Sequence, residues 1–330
     1  MTGSLPPLLS RLPFAPLFAD AAFDPRVDGS MWERHGAGWV CEEEGAAPSP
    51  FHEIAPSIQA AVPRGAALRI QMTAGDGGRE TALLDVGFLG EGRLAPSRRR
   101  LQDARGKVDV DLLRLGDTGR SWRVRLTATG SEPWTWRWGV CGVTWRGRGR
   151  HPRWRTPPAL KRRIELAVPR ASQMAEGGRD GRVACSPTTV QMLLGHRGVR
   201  LPVPRVMRAA YDPVNRIYGN WQRAIAAAWE FGRPAAFVYL RHWDHVLACL
   251  RAGVPVGASI KFPRGKVDLP GAPIEHSAGH LIVVRGLTPS GDVLVNDPAA
   301  PSRRSVSRTY PLAPLSRAWF GFSGVGYLVF

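Results

Sequence analysis

The hydrophobic period of this chain changes once along its length, and that change limits the folds open to it. Between residues 30 and 145, apolar side chains recur at every second position: Leu68, Ile70 and Met72; Val108, Val110 and Leu112; Trp122, Val124 and Leu126; Trp134, Trp136 and Trp138. Such alternation marks strands with one buried face. Turn residues in "AGDGG" and "RLGDTG" separate the runs, so an antiparallel β-sandwich is expected here. Further on the period lengthens. "SPTTVQMLLGHRG", "GNWQRAIAAAWEFG" and "HWDHVLACLRAG" predict three helices, with Pro187 suited to a first turn, Asn220 to a cap, and Gly198, Gly232 and Gly253 to stops. "VPVGASI", "GHLIVVRGL", "DVLVNDP" and "GVGYLVF" then read as strands, with "TPSGD" a tight turn between the second and third. Helices followed by antiparallel strands give an α+β order.

At 330 residues the chain exceeds the usual size of one core, so two domains are expected. The divisions fall at 1–29 (an N-terminal extension), 30–145 (the sandwich), 146–164 (a basic, Pro-rich linker) and 165–330 (the α+β domain). The balance of 45 basic to 27 acidic residues gives a net charge of +18, which in general suggests an anionic partner. Only four of the basic residues are lysine, which points to a general arginine bias, and no nucleic acid partner is expected. The densest stretch, "WRGRGRHPRWRTPPALKRR", holds Arg146, Arg148, Arg150, Arg153, Arg155, Lys161, Arg162 and Arg163 without an acidic residue. It reads as a solvated linker, with docking of an anionic partner as the alternative.

The N-terminal "MTGSLPPLLSRLPFAPLFADAAF" is broken by prolines and lacks the pattern of a signal peptide. No apolar run reaches the roughly 18 residues of a membrane span. A soluble, cytoplasmic protein is the expectation, with export by an upstream signal as the alternative. Four cysteines, at 41, 141, 185 and 249, make a poor disulfide framework for this length. Cys41 and Cys141 read as two reduced core thiols, or as a pair if their domain is oxidised. The three alternating tryptophans form either a sugar-stacking platform or a core face.

The candidate chemistry lies in the second half. Cys185 sits immediately before the first predicted helix, where free backbone N–H groups and the helix dipole favour an anion such as a thiolate. His280 starts an apolar strand, and Asp297 ends the next one, 17 positions on. A hairpin about "TPSGD" makes these two neighbours, the carboxylate orienting the imidazole and the imidazole facing the thiol. Gln173 offers an amide N–H to a developing oxyanion. Several residues have plainer readings. Cys249 belongs to a helix core, Asp244 and His245 to a helix surface, and "NDP" to an Asx turn. His276 and His280 lie four apart, but Gly279 and the strand that follows do not suit a metal site.

The order Gln173, "CSPTTVQMLL", "GHLIVVRGL", "VNDPAA" resembles the papain-like cysteine peptidases of the bacteriocin-processing, double-glycine leader peptidase family, in particular a stand-alone bacterial branch. "FHEIAPSIQAAVPRGAALRIQM" and "KVDVDLLRL" resemble the β-rich module that precedes the peptidase in some members. The resemblance implies a papain-like fold over 165–330 and cleavage of peptides at small or Gly-rich sites, with no cofactor. It places the nucleophile on Cys185, the base on His280, the orienting aspartate on Asp297 and the oxyanion glutamine on Gln173. Ser186 stands where many members have glycine. Two other readings stay open: acyl transfer by the same residues, and a non-catalytic protein that binds polysaccharide, cell wall or an acidic partner.

Overall fold

The structure is a computed structural model, described for residues 29–91, 100–147, 156–157 and 160–330. The N-terminal extension up to residue 28, and Arg148, Arg150, Arg153 and Arg155 of the basic stretch, lie outside the described residues. The chain divides into two compact units, Met1–Gly149 and Arg150–Phe330.

The first unit carries β1 (Glu33–His35), β2 (Gly38–Ala61), β3 (Ala67–Asp76), β4 (Arg79–Glu80), β5 (Leu84–Gly90), β6 (Gly106–Asp109), β7 (Leu112–Thr129) and β8 (Arg137–Arg146). These strands join into one continuous antiparallel sheet, because the long strands β2 and β7 each pair along different stretches with different partners. The alternation behaves as expected in β3 and β7: Leu68, Ile70, Met72, Trp122, Val124 and Leu126 are all buried. On the opposite face of β7, Arg123 and Arg125 pair across the strands with Glu44 and Glu42. That accounts for the acidic run "CEEEG" without any chemistry. Gly77 and Gly78, both at positive φ, turn β3 into β4, as a two-residue hairpin of this hand requires.

Three expectations are corrected here. "RLGDTG" is not a turn: β7 runs through it, with irregular register opposite residues 46–53 of β2. "KVDVDLL" is not one strand but the hairpin β6–β7, reversed at Val110 and Asp111. Val110 has φ +62°, and the Asp111 N–H bonds to the Asp109 carbonyl at 2.9 Å, a tight γ-turn that a β-branched residue enters only with strain. Val110→Gly should therefore raise stability by about 1 kcal/mol, read as a higher urea midpoint at unchanged slope. A lower midpoint would mean that the valine's packing outweighs its strain. The third correction concerns the tryptophans. Pro133–Thr135 form a 3₁₀ turn that contains Trp134, and β8 begins only afterwards. Trp136 and Trp138 are buried and stacked, with ring centroids 5.9 Å apart, while Trp134 meets Trp39 edge-on. Trp136 and Trp138 are core and Trp134 is half-buried against Trp39, so the three rings share no exposed face as a stacking platform for a sugar. Cys41 and Cys141 are buried free thiols.

In the second unit, α1 (Gln173–Glu176), α2 (Cys185–His196), α3 (Val203–Ala210), α4 (Trp221–Glu230) and α5 (Trp243–Arg251) precede most of the strands, and α6 (Leu312–Trp319) follows late. Asn220 caps α4 by accepting the Arg223 N–H at 2.9 Å, and Gly198, Gly232 and Gly253 take positive φ after their helices. Strands β9 (Ile164–Glu165), β10 (Ala235–Tyr239), β11 (Val256–Phe262), β12 (Ser277–Leu287), β13 (Val293–Asn296), β14 (Ser307–Tyr310) and β15 (Val325–Val329) form a second antiparallel sheet. Its order is β10-β15-β11-β12-β13-β14, with β9 on β12. Helix α2 packs on β11, β12 and β15 and against α3 and α4. Because it is enclosed on several sides, Val190, Met192, Leu193 and Leu194 are all buried. The helix carrying Cys185 is thus fixed against the strand carrying His280.

Candidate active site

Cys185 is the first residue of α2, where backbone N–H groups have no intrahelical acceptor and the helix dipole favours negative charge. As a residue it is partly exposed, whereas Cys41, Cys141 and Cys249 are buried. Opposite stands His280, near the start of β12. The β12–β13 hairpin pairs Val283 with Asn296, so the chain leaving β13 passes alongside the strand start. There His280 Nε2 meets Asp297 Oδ1 at 2.8 Å. Both side chains are buried. The other imidazole nitrogen is left for Cys185, which lies close enough for the imidazole to act on its thiol.

Asp297 is held from several sides. Its Oδ1 also accepts the Ala299 N–H at 2.9 Å, its Oδ2 accepts the Tyr310 hydroxyl at 2.6 Å, and its own N–H donates to the Val306 carbonyl at 2.8 Å. The "NDP" segment is therefore an Asx turn and a histidine partner at once.

Burial alone would oppose charge on each of the three groups. For Cys185 it is outweighed by the hydrogen bond and charge of His280, with backbone N–H groups of Leu281 and Ser186 adding to them, so the thiol sits below its ordinary value. For His280, the charge and hydrogen bond of Asp297 overcome burial and raise the imidazole to about 10. Asp297 is held below the usual carboxylate range by His280, Tyr310 and the Ala299 N–H. All three directions favour one charge state: thiolate, imidazolium and carboxylate, titrating as a coupled set.

The sequence model of the Peptidase_C39 like family matches residues 165–327, and that of the Peptidase C39 N-terminal domain matches residues 18–141. The second unit carries a C39-like peptidase domain. Among solved structures, a putative C39-like peptidase from Bacillus anthracis is 15% identical with a TM-score of 0.40, and the match covers 51% of this chain and 97% of that one. A double glycine motif protease from an AMS/PCAT transporter, solved with its leader peptide, is 14% identical with a TM-score of 0.32 and coverage of 52% and 98%. The peptidase domain of Streptococcus ComA, a bi-functional ABC transporter, is 13% identical with a TM-score of 0.32 and coverage of 50% and 97%. No curated protein matches the sequence.

Within the C39-like domain, Ser186 does not narrow the space beside the thiol. It is fully buried and its hydroxyl lies 3.1 Å from that of Tyr327 in β15, so the side chain turns into the core. Gln173 is buried on α1, with its Nε2 donating to the Gly181 carbonyl at 2.8 Å rather than to Cys185 or His280, and with Oε1 lacking a partner. Close packing explains Gly177 and Gly181 of the segment "EGGRDGR" between Gln173 and Cys185. A Cβ at either would come within 2.5 Å of the Gln173 carbonyl, so only glycine lets the segment wrap this closely. Helix α1 is tied to the segment after Asp297 by the Gln173 N–H to the Pro298 carbonyl (2.9 Å), Ser172 Oγ to the Ala300 carbonyl (2.5 Å) and the Glu176–Arg303 ion pair.

The remaining candidates keep their plain readings. Cys249 is core, and burial pushes its thiol up. Asp244 is exposed in the first turn of α5, and His245, half-buried beside His242 and Arg241, is lowered first by burial and then by those neighbours. His276 is exposed beside Arg264, with its Nδ1 3.2 Å from the guanidinium. Among the described residues, no group of three His, Cys, Asp or Glu side chains is placed to hold a metal ion, and no helix is long and apolar enough to cross a membrane. Tyr310 was not legible as a site residue. It ends a four-residue, largely polar strand that carries no periodic signal.

Proposed function

We propose that this chain is a cysteine peptidase that cleaves peptide bonds through a thioester on Cys185. The observation that carries the reading is the buried His280–Asp297 pair, 2.8 Å apart, beside Cys185 at the start of α2. The Cys185 thiolate attacks the scissile carbonyl carbon, and the carbonyl oxygen takes up the electron pair. The Cys185 N–H stabilises that oxyanion, with the second N–H of the Gln173 amide, whose first donates to the Gly181 carbonyl, as the further donor. Collapse breaks the C–N bond, His280 gives its proton to the leaving amine, and the acyl group remains on sulfur. His280 then takes a proton from water, whose oxygen attacks the thioester, releasing the acid and returning the thiolate and imidazolium. Throughout, Asp297 holds the imidazole in position and balances its charge. This sequence of steps requires no metal or organic cofactor.

The family match supports a peptide substrate, and small or glycine residues before the cleaved bond are the class to try first. The test is digestion of a peptide library containing Gly-Gly and other small-residue pairs by the wild-type chain and by Cys185→Ser, with products read by mass spectrometry. Cleavage by the wild type alone is the expected result, and a trace of amide product when a primary amine is added would reveal the same thioester partitioning to transfer. If neither hydrolysis nor transfer occurs although Cys185 is activated, the peptidase reading fails and the domain is a binding module.

A further inference from the structure

The aspartate that faces His280 has a second partner, and that partner lies on a different strand from both. Tyr310, at the end of β14, is fully buried, and its hydroxyl donates to Asp297 Oδ2 at 2.6 Å. A buried carboxylate can only accept, so the direction of the bond is fixed. Short hydrogen bonds to an ionised acceptor are among the stronger ones a protein makes. The two carboxylate oxygens are thus divided: Oδ1 serves His280 and the Ala299 N–H, while Oδ2 serves Tyr310.

We propose that Tyr310 is a positioning residue, whose hydroxyl fixes the plane of the Asp297 carboxylate so that Oδ1 stays on His280 Nε2. This rests on the peptidase reading above. Without the hydroxyl, Oδ2 is a buried acceptor with no donor, and the carboxylate can rotate to share its remaining bonds. The imidazole then loses a fixed orientation, and the thiolate loses its counter-charge. The titratable and charged groups facing this pair are His280, with Cys185 beyond it, and Arg308 near Tyr310. Removing a donor to the charged form makes Asp297 easier to protonate, so the acid limb of any reaction of Cys185 moves to higher pH.

The experiment is a double-mutant cycle on the full chain, with iodoacetamide as the probe and the rate of Cys185 labelling as the readout. The four proteins are the wild type, Tyr310→Phe, Asp297→Asn and the double variant. Phenylalanine keeps the ring, and the melting temperature of each variant checks that the fold is retained. Tyr310→Phe should slow labelling at pH 6 about tenfold and shift the acid limb upward, and should have no further effect once Asp297 is asparagine. The downfield imidazole N–H resonance of the His280–Asp297 bond should weaken in the same variant, which gives a second reading if labelling is slow. An equal drop in both backgrounds would make Tyr310 a packing residue and overturn the proposal, as would no drop in either. Wild-type labelling like that of an ordinary thiol would overturn the peptidase reading itself, and the proposal with it.

Discussion

Iodoacetamide should label Cys185 at pH 6 about 100-fold faster in the wild-type chain than in His280→Ala. The reagent reacts with thiolate, and an unassisted thiol with pKa about 8.5 is ionised by well under 1% at pH 6. In the wild type, His280 supplies a hydrogen bond and a positive charge that outweigh burial. Alanine removes both and leaves burial opposed only by the backbone N–H groups of Leu281 and Ser186, so the thiol rises. Site assignment by mass spectrometry should find no competing label in the native protein. Cys41 is buried and pushed up to about 12, Cys249 is raised by burial, and Cys141 is buried. A second feature separates labelling from turnover. Above about pH 10 His280 loses its proton, so hydrolysis should fall for want of an acid to protonate the leaving amine. Alkylation, which needs only the thiolate, should stay high. Parallel decline of both profiles, or equal labelling of wild type and His280→Ala, would contradict the ion pair.

Asp297→Asn should lower kcat on the order of 10³-fold with little change in KM, since asparagine neither orients nor balances an imidazolium. The same substitution should cost about 3 kcal/mol of stability, because it leaves a buried imidazolium without its counter-charge. That cost depends on pH in a definite way. Asp297 is depressed in the folded state, so its share of stability is in place above its unfolded pKa of about 3.9 and is lost as pH falls. His280 is raised to about 10, so its share is complete below its unfolded pKa of about 6.5 and is lost as pH rises through 10. The coupling is therefore at full strength between about pH 4 and 6.5. Denaturant unfolding of the two proteins at pH 6 and pH 9.5 measures it: the gap should be wider at pH 6. A gap independent of pH would assign the loss to packing rather than charge.

The site was legible where a local signal and a register rule coincided. Cys185 heads a helix whose apolar spacing and glycine stop are plain in the sequence, and the turn "TPSGD" sets the hairpin that brings Asp297 to His280. Tyr310 was not legible, because "SRTY" is too short and polar to mark a strand, and its value lies in a contact thirteen residues away. The Gln173 amide was found as a candidate, but its bond to the Gly181 carbonyl depends on glycines whose close approach only three dimensions show. In the first unit, alternation identified the strand faces of β3 and β7 but misplaced the reversals. A γ-turn at Val110 breaks a run that alternates through it, and β7 continues past the glycine and aspartate of "RLGDTG". Pro133 similarly took Trp134 out of the strand. Among the elements missed, β10 is buried along its whole length and shows no alternation, whereas α3 buries Val203, Val206, Met207 and Ala210 on one face, a helical period obscured by Pro202 beside its start and Pro204 within it.

The position of β15 has a consequence for how the site comes into being. β15, the last strand of its sheet in chain order, lies inside that sheet, paired with β10 on one side and β11 on the other, and it contributes Tyr327, the partner of Ser186 next to Cys185. A nascent chain cannot close the sheet, or seat α2 against it, until residues 325–329 have emerged from the ribosome. Up to that moment the helix carrying Cys185 lacks part of the sheet that holds it against the strand of His280. Strand order alone thereby defers the seating of Cys185 beside His280 until β15 has been made.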